Sequence, residues 1–273
     1  MSTALRRLRY YARSMVTLAS RVERPHVVAW KLLVAGNGCL VRFRDGTALA
    51  CRDAMDLWVA KETCLDRDYE RHGTAIARDW TIIDIGAGIG DFTILAARAA
   101  SAGRVVACEP SPTATALLRE NLRRNDVTNV VVVDAAVAAN ASPRALMPGR
   151  HGATASTHST APAEPSLTVP GVTLAEVLAR LPGGRCDLLK SDCEGAEFDF
   201  LLGADDATLA RIDRIVLEYH DWRGRHHSAL ERRLRDAGFA CVATHVNVVH
   251  DDTGFLYAER TAGGADRPSP SAR

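Results

Sequence analysis

The stretch Trp80-Thr-Ile-Ile-Asp84-Ile-Gly86-Ala-Gly88-Ile-Gly90-Asp91 decides the fold of this 273-residue chain. A short apolar run rich in β-branched residues leads directly into three glycines, and the apolar residues that follow recur at helical spacing. This order predicts a strand, a tight turn and a helix, the arrangement that binds nucleotides in many α/β folds. Glycines let the backbone approach a ligand closely, and the free N–H groups of the new helix point towards it.

The spacing of the glycines separates two kinds of nucleotide site. The fingerprint of dinucleotide-binding folds is G-x-G-x-x-G, whereas here the glycines stand at 86, 88 and 90. Strand and helix patterns alternate from residue 79 to about residue 260, which predicts a mostly parallel sheet covered on both faces. The last two strand patterns, at 239–246 and 254–258, are separated by a short turn, so we expect them to pair antiparallel.

Composition narrows the class of protein. The chain carries 34 basic and 33 acidic residues, which leaves no overall field to attract nucleic acid or a membrane, although local basic patches stay open, and it has no basic stripe suited to nucleic acid. No apolar run is long enough to span a membrane, and the first residues lack the apolar centre of a secretion signal. The seven cysteines form no C-x-x-C pair, which indicates free thiols and no structural zinc site. We therefore expect a soluble, cytoplasmic protein.

The sequence divides into three regions. Residues 1–78 contain a basic helix and an Asp-Gly pair between two alternating runs, which predicts an N-terminal helix and β-hairpin extension. We expect this helix to pack an apolar stripe on the domain with its arginines outward. Residues 79–260 form the main domain, with an irregular insertion at 141–170 that is either a lid or disordered. Residues 261–273 are predicted to be a disordered tail.

Acidic residues at strand ends are candidates for the ligand site. Glu109 ends the strand after the glycine turn, where a carboxylate can accept hydrogen bonds from ribose hydroxyls. Asp134 ends the third strand, where it can reach an adenine amine or simply form a turn. The predicted cofactor-binding residues are Asp84, Gly86, Ala87, Gly88, Gly90, Asp91, Phe92, Glu109, Pro110, Asp134, Ala135 and Asp192.

A second acidic segment is Lys190-Ser-Asp192-Cys-Glu194-Gly-Ala-Glu197, where a buried strand pattern passes into a helix. Asp192 falls at the carboxyl edge of the sheet, where open α/β folds bind their ligands. Glu194 and Glu197 fall in the first helical turn, so they can serve a site or simply complement the helix dipole.

The segment Val216-Leu-Glu218-Tyr-His220 ends the next strand at the same edge. His220 is the histidine best placed to take a proton near neutral pH, with Glu218 or Asp192 to orient it. The alternative is a structural histidine hydrogen-bonded at a strand end. Asp192, Glu194 and His220 are also plausible ligands of a divalent metal, but their spacing matches no metal motif, so we predict no metal site.

Together these segments resemble the FkbM family of S-adenosylmethionine-dependent methyltransferases. The Lys-x-Asp-x-Glu-Gly-Ala-Glu segment is the most specific part of the resemblance. Two residues depart slightly from the family. The family usually has an apolar residue where this chain has Ser191, and often asparagine near the position of Gly88. The matching segments are Ile83–Thr93, Ala107–Pro112, Asp187–Glu197 and Val216–His220.

The resemblance implies a Rossmann-like class I methyltransferase fold with a seven-stranded, mostly parallel sheet and an antiparallel terminal strand pair. It further implies S-adenosyl-L-methionine as the methyl donor and S-adenosyl-L-homocysteine as the product. The expected acceptor is a hydroxyl of a natural product or sugar, with His220 as base and Asp192 beside it. Glu194, Glu218, Trp58 and Tyr69 are predicted to bind this small-molecule acceptor.

Three other functions stay open at this stage, and so does homo-oligomer formation. The first is N-methylation of a small-molecule amine, for which a strong base matters less. The second is a nicotinamide-dependent oxidoreductase on a related fold, against which the glycine spacing and the terminal strand pair count. The third is a non-catalytic module that keeps the cofactor fold for assembly with a partner.

Overall fold

The structure is a computed structural model, and it describes residues 3–70, 75–146, 167–221, 224–244 and 252–261. Its strands are β1 (Cys39–Arg42), β2 (Ala48–Cys51), β3 (Thr81–Ile85), β4 (Arg104–Cys108), β5 (Val130–Val133), β6 (Ala136–Ala138), β7 (Arg144–Leu146), β8 (Leu167–Val169), β9 (Gly171–Thr173), β10 (Leu188–Ser191), β11 (Arg214–His220), β12 (Phe239–Thr244) and β13 (Thr253–Arg260). Its α-helices are α1 (Thr3–Arg21), α2 (Pro25–Ala29), α3 (Ala54–Ala60), α4 (Asp91–Ala99), α5 (Pro112–Arg124), α6 (Leu174–Leu178), α7 (Glu197–Gly203), α8 (Asp206–Leu209) and α9 (His227–Asp236).

Seven of these strands form the central sheet, in the order β12–β13–β11–β10–β3–β4–β5. The five consecutive strands β11, β10, β3, β4 and β5 are parallel to one another. Strand β13 lies antiparallel to both β11 and β12. The predicted seven-stranded sheet with an antiparallel terminal pair is therefore confirmed, although the turn at 245–251 lies outside the described residues.

Strand β3 occupies the middle of the sheet and leads into the glycine turn. Ile82, Ile83 and Asp84 are all completely buried, as expected for a parallel strand covered on both faces. Gly86 has a positive φ of 75°, and a Cβ there would lie 1.8 Å from the backbone oxygen of Asp192. Only glycine fits this contact, which locks the glycine turn against the end of β10.

The predicted N-terminal helix and hairpin are both present. Strands β1 and β2 pair antiparallel around the Asp45-Gly46 turn, and their apolar residues pack with Leu118 and Leu122 of α5. Asn121 of α5 and Asn125, the residue that follows this helix, hydrogen-bond the backbone of β2. Asn121 accepts from the Ala50 amide (2.7 Å), and Asn125 accepts from the Ala48 amide (3.0 Å).

Two short π-helical segments interrupt the N-terminal region, at Trp30–Val34 and Lys61–Asp66. A short 3₁₀ turn, Asp68–Glu70, follows the second segment and buries Tyr69. Together with α1, these short elements place residues between Tyr10 and Tyr69 over the carboxyl edge of the sheet. The boundary predicted near residue 78 stays a prediction.

The predicted insertion at 141–170 is described only at its ends. There β7 and β8 form a two-stranded antiparallel ladder, which the sequence did not indicate. Residues 147–166 and the predicted tail at 262–273 lie outside the described residues, so the lid and disorder interpretations stay predictions. None of the helices that the structure describes is long and apolar enough to cross a membrane.

Candidate active site

A cavity of about 120 Å³ lies over the glycine turn, at the carboxyl ends of β3, β4 and β10. We call it the donor cavity. Gly86 and Gly88 form its floor, and Glu109 follows the adjacent strand β4. The predicted site residues that line it are Gly86, Gly88, Asp91, Glu109, Pro110, Ala135, Asp192, Glu194 and Tyr69.

Glu109 is the buried carboxylate of this cavity. Its two oxygens accept hydrogen bonds from the amides of Gly88 (2.9 Å) and Ser111 (2.8 Å). Burial raises the pKa of Glu109 to about 7, although these two hydrogen bonds favour the charged form. Each carboxylate oxygen keeps a further lone pair for a ligand hydroxyl, so Glu109 fits the predicted role beside a ribose.

Gly88 forms an open part of the floor of the donor cavity. It has a positive φ of 53°, and a Cβ built there meets nothing within 4 Å. The backbone therefore forms a concave surface that a ligand can approach, with the apolar Ile89 and Ala135 beside it. One buried carboxylate, an open stretch of backbone and apolar side chains fit the adenosyl part of S-adenosylmethionine.

Other predicted cofactor-binding residues lie beneath the donor cavity and do not line it. Asp84 is completely buried and accepts a hydrogen bond from the Thr93 hydroxyl (2.6 Å). Phe92 is buried and packs edge-on against Tyr69. Ala87 and Gly90 complete this supporting layer under the turn.

Asp134 is not brought to the donor cavity. Both of its oxygens accept from the guanidinium of Arg119 at 2.9 Å, and its side chain is 57% exposed. The position at a strand end was predicted correctly, but the carboxylate points to α5. Its neighbour Ala135 lines the cavity instead.

Lys190 is a site residue to which the sequence analysis gave no role. Its ammonium lies 3.1 Å from Asp84 Oδ1 and donates to the Gly86 carbonyl at 3.1 Å. Burial lowers the pKa of Lys190, but the carboxylates of Asp84, Asp192 and Asp91 outweigh this effect and raise it. Lys190 thus stays charged and ties the glycine turn to β10.

A second cavity, of about 520 Å³, adjoins the donor cavity. We call it the acceptor cavity. Of the seventeen described residues that line it, fourteen lie between Tyr10 and Tyr69, and the others are Asp192, Glu218 and Phe255. Val59, Thr63, Tyr69 and Asp192 line both cavities, so the two meet there.

Tyr69 and Asp192 form the junction between the cavities. The Tyr69 hydroxyl donates to Asp192 Oδ2 at 2.9 Å, and its ring packs edge-on against Phe92 and Phe255. Burial and the Asp192 carboxylate raise the pKa of Tyr69, so its hydroxyl keeps the proton that it donates. This bond directs one oxygen of Asp192 and leaves the other for a ligand.

Glu218 is the second carboxylate of the acceptor cavity. Burial and the nearby Asp192 raise its pKa, because two carboxylates in one place resist double ionisation. Within the described part of the chain it receives no hydrogen bond. With its pKa raised to about 8, Glu218 is largely protonated at neutral pH and becomes a proton acceptor as the pH rises through that value.

His220 lies behind these carboxylates and lines neither cavity. Its Nε2 is 3.7 Å from Glu194, and its Nδ1 is 3.5 Å from the fully buried Glu197. Burial alone would lower the pKa of His220, but the carboxylates of Glu197, Glu194 and Asp192 outweigh it and raise the pKa to about 10. The imidazole is therefore a cation at neutral pH, which does not suit the predicted role of free base.

Trp58 and Glu194 complete the predicted acceptor-binding set. The Trp58 indole donates to Glu62 at 2.9 Å and packs against Tyr10 and Tyr11, so it supports the wall of the acceptor cavity without lining it. Glu194 lines the donor cavity and faces His220. The substrate-contact role predicted for Trp58 is thus indirect in this arrangement.

The acidic edge has one arrangement suited to a divalent cation. One ligand atom each of Asp192, Glu218 and His220 lie within 4.8 Å of one another. To bind a metal, the imidazole would first have to lose its proton, against the charge of three neighbouring carboxylates. The prediction of no metal site therefore stays a prediction.

A sheet of this order, with a glycine turn after β3 and a buried glutamate after β4, is that of a class I S-adenosylmethionine-dependent methyltransferase. Comparison with known proteins agrees. The profile of the methyltransferase FkbM domain matches residues 84–241. The chain is 30% identical over 255 residues to the 31-O-demethyl-FK506 methyltransferase FkbM of Streptomyces tacrolimicus, covering 82% of this chain and 97% of that one. The chain belongs to the FkbM methyltransferase family, as its sequence motifs predicted.

Two further similarities extend the comparison. The AMB antimetabolite synthetase AmbE of Pseudomonas aeruginosa is 31% identical over 227 residues, which are 67% of this chain but only 10% of that protein. The crystal structure of M. jannaschii TYW2 in complex with AdoMet has a TM-score of 0.48 and 18% identity, and the match covers 82% of this chain and 87% of that one.

Proposed function

We propose that this methyltransferase transfers the methyl group to a hydroxyl of a small molecule. The observation that carries the proposal is the carboxylate pair Asp192 and Glu218. Asp192 lines both cavities, and Glu218 lines the acceptor cavity with a carboxylate oxygen within 4.8 Å of one on Asp192. The name of the Streptomyces tacrolimicus relative, a 31-O-demethyl-FK506 methyltransferase, supports a hydroxyl acceptor.

On the donor side, Glu109 would hold the ribose of the donor, and the open backbone at Gly86 and Gly88 would accommodate its methionine part. Ile89 and Ala135 would cover the adenine. S-adenosylmethionine supplies an activated methyl group on a sulfonium, so the protein need only align the acceptor and remove its proton. The buried Lys190–Asp84 pair keeps the turn in place during this alignment.

On the acceptor side, we assign proton removal to the Asp192–Glu218 pair. Glu218 has a raised pKa and borders the cavity, whereas His220 is a cation behind it. The imidazolium balances the charge of the carboxylates around it, so His220 acts as a positioning residue. Asp192, directed by Tyr69, would orient the acceptor oxygen.

The donor is tested by calorimetric titration with S-adenosylhomocysteine, with NADH as a control ligand. We expect S-adenosylhomocysteine to bind with micromolar affinity and NADH not to bind. Glu109→Gln should weaken the binding about tenfold or more, because the NH2 group of Gln cannot accept a hydrogen bond as the second carboxylate oxygen does. Asp134→Ala is the matched control, since that carboxylate lies outside the donor cavity, and its affinity should be unchanged. Binding of NADH alone would contradict the assignment.

The acceptor chemistry is tested with a panel of hydroxylated and amine-bearing compounds and mass spectrometry of the products. For an O-methylated product, we expect Glu218→Gln to lower kcat by about 10²-fold or more, which is typical of a lost proton acceptor. S-adenosylhomocysteine affinity should not change. A His220→Gln effect larger than that of Glu218→Gln would return the role of base to the histidine.

N-methylation of an amine is the second candidate, and the charge of the acceptor cavity favours it. Glu62, Asp66, Asp68, Asp192 and Glu218 line the cavity against only two arginines. Such a surface attracts a cationic amine. If an amine is the acceptor, the bound cation loses its proton before the neutral amine attacks the methyl group. Because an ammonium is far more acidic than an alcohol, Glu218→Gln should change kcat much less than in the hydroxyl case.

A further inference from the structure

The N-terminal helices carry most of the exposed apolar surface in the described residues. Of the twelve large apolar side chains exposed there, nine lie between Leu5 and Val34. They are not the core-facing stripe that the sequence predicted for α1. They are Leu5, Leu8, Tyr11, Met15, Val16, Val27, Trp30, Leu33 and Val34.

Helix α1 has two different apolar faces. Ser14, Leu18 and Val22 recur every four residues and are buried against the protein. Leu8 and Met15, seven residues apart, lie on another line of the helix and are 67% and 56% exposed. One face therefore anchors the helix to the domain, and the second is left without a cover within the described structure.

The exposed face is bordered by positive charge. Residues 5–34 contain six arginines and Lys31 but a single acid, Glu23. At 100° per residue, Arg9 falls about 20° from the exposed Val16 on α1, and Arg13 and Arg6 follow at about 60° and 80° from it. These three arginines form no ion pair with the described residues. This excess is local, because the whole chain has a net charge of only +1.

We propose that α1, α2 and the Trp30–Val34 segment form a docking surface for an anionic lipid bilayer. An apolar stripe flanked by arginines, with an exposed tryptophan nearby, matches an interfacial helix whose cations contact phosphates while its apolar side chains enter the acyl boundary. A second copy of this chain is a poorer match, since two such surfaces would bring like charges together.

The position of this surface matters for the acceptor cavity. Arg13, Val16 and Arg21 of α1 line that cavity as well. Docking would therefore place the opening of the acceptor cavity beside the bilayer. The surface does not depend on which acceptor is methylated, so the proposal stands apart from the proposed function.

Flotation with vesicles tests the proposal. We expect binding to vesicles of phosphatidylcholine with phosphatidylserine, weak binding to phosphatidylcholine alone, and a decrease as salt rises. Leu8→Ser with Met15→Ser should weaken binding about tenfold or more. Arg6→Ala with Arg9→Ala should weaken it about fivefold per arginine.

The matched control is Leu202→Ser with Val242→Ser, which removes apolar side chains that are 45% and 52% exposed elsewhere on the molecule. This control should bind vesicles like the unaltered protein. S-adenosylhomocysteine titration verifies that each variant is folded. Absence of binding to anionic vesicles would overturn the proposal. So would a dimer in sedimentation velocity that Leu8→Ser with Met15→Ser dissolves, because the surface would then join two copies.

Discussion

At the scale of single residues, the buried pair Lys190 and Asp84 connects β10 to the glycine turn. Both side chains are at most 5% exposed, and the ammonium also donates to the Gly86 carbonyl. Removing one partner of such a pair leaves an uncompensated charge in the core. We expect Lys190→Met to lower the free energy of unfolding by about 3–5 kcal/mol, measured by urea denaturation.

A double-mutant cycle distinguishes the pair from simple loss of packing. Lys190→Met with Asp84→Asn should recover part of the loss, because neither charge then remains buried alone. Arg185→Ala, which breaks the exposed pair with Asp213, is the control and should cost at most about 1 kcal/mol. Strict additivity of the Lys190 and Asp84 effects would contradict the pairing.

His220 makes stability depend on pH in a defined direction. Its pKa is raised from the ordinary 6.5 to about 10, so the folded state binds the proton more tightly than the unfolded state does. The resulting stabilisation is complete below pH 6.5 and is lost as the pH rises through 10. We expect His220→Gln to lower the free energy of unfolding by roughly 3 kcal/mol near neutral pH or below, and progressively less towards the folded pKa.

The measurement is urea denaturation of both proteins across this pH range, with the exposed His26→Gln as the control variant. A difference between His220→Gln and the unaltered protein that stays constant with pH would mean that the imidazole is neutral in the folded state. That result would also restore its suitability as a base.

At the scale of elements, α5 holds the hairpin through backbone groups. Asn121 donates to the Ile89 carbonyl (2.9 Å) and accepts from the Ala50 amide (2.7 Å), and it is completely buried. We expect Asn121→Ala to lower the free energy of unfolding by about 3 kcal/mol, since at least two buried backbone groups lose their partners. Glu120→Ala, on the exposed side of the same helix, should cost about 0.5 kcal/mol or less.

S-adenosylhomocysteine titration adds a second readout to this prediction. Ile89 lines the donor cavity, so release of its carbonyl should also weaken binding of the ligand. Stability and affinity that both match the unaltered protein would mean that the hairpin is held mainly by its apolar contacts.

The elements differ in how well the sequence predicts them. The β3 turn and the Asp45-Gly46 hairpin are predictable because glycine and period-two patterns report local backbone geometry directly. The π-helical segment Lys61–Asp66 and the β7–β8 ladder are not, since their hydrogen bonds leave no distinct apolar period. The exposed apolar face of α1 is not predictable for a different reason. In the sequence, two apolar faces on one helix are indistinguishable from a single broad stripe.

Site residues show the same division. Glu109 and Asp192 follow from their places at strand ends, because the carboxyl edge of a parallel sheet is where ligands bind. The direction of Asp134 depends on Arg119, fifteen residues away on another element, which no strand pattern reveals. The charged state of His220 likewise depends on carboxylates that only folding assembles.

At the scale of the whole molecule, the two cavities have different origins in the chain. The family profile matches residues 84–241, which include most of the lining of the donor cavity. Most of the acceptor cavity is built by residues 10–69, outside that match. Family membership therefore defines the methyl donor, and we expect the N-terminal region to shape most of the acceptor cavity wall around Asp192 and Glu218.

Tyr69 is where the two parts must act together, and it gives a prediction at this scale. Tyr69→Phe keeps the ring packing but removes the hydrogen bond to Asp192. We expect methyl transfer to slow about fivefold or more, the value of one hydrogen bond, with S-adenosylhomocysteine affinity unchanged within about twofold. Equal losses of affinity and rate would instead assign the tyrosine hydroxyl to the donor cavity.

Most of the described residues that line the acceptor cavity come from one continuous segment, residues 10–69, so this segment can be exchanged as a unit. A single gene segment encodes fourteen of the seventeen lining residues, so a chimera could import another relative's acceptor preference in one splice. Asn121 and Asn125 bind the hairpin through main-chain groups of Ala48 and Ala50, so a foreign hairpin of equal length would offer them the same partners. Directed evolution of new acceptors can accordingly confine its library to those of residues 10–69 that line the acceptor cavity alone, which leaves the donor cavity unchanged.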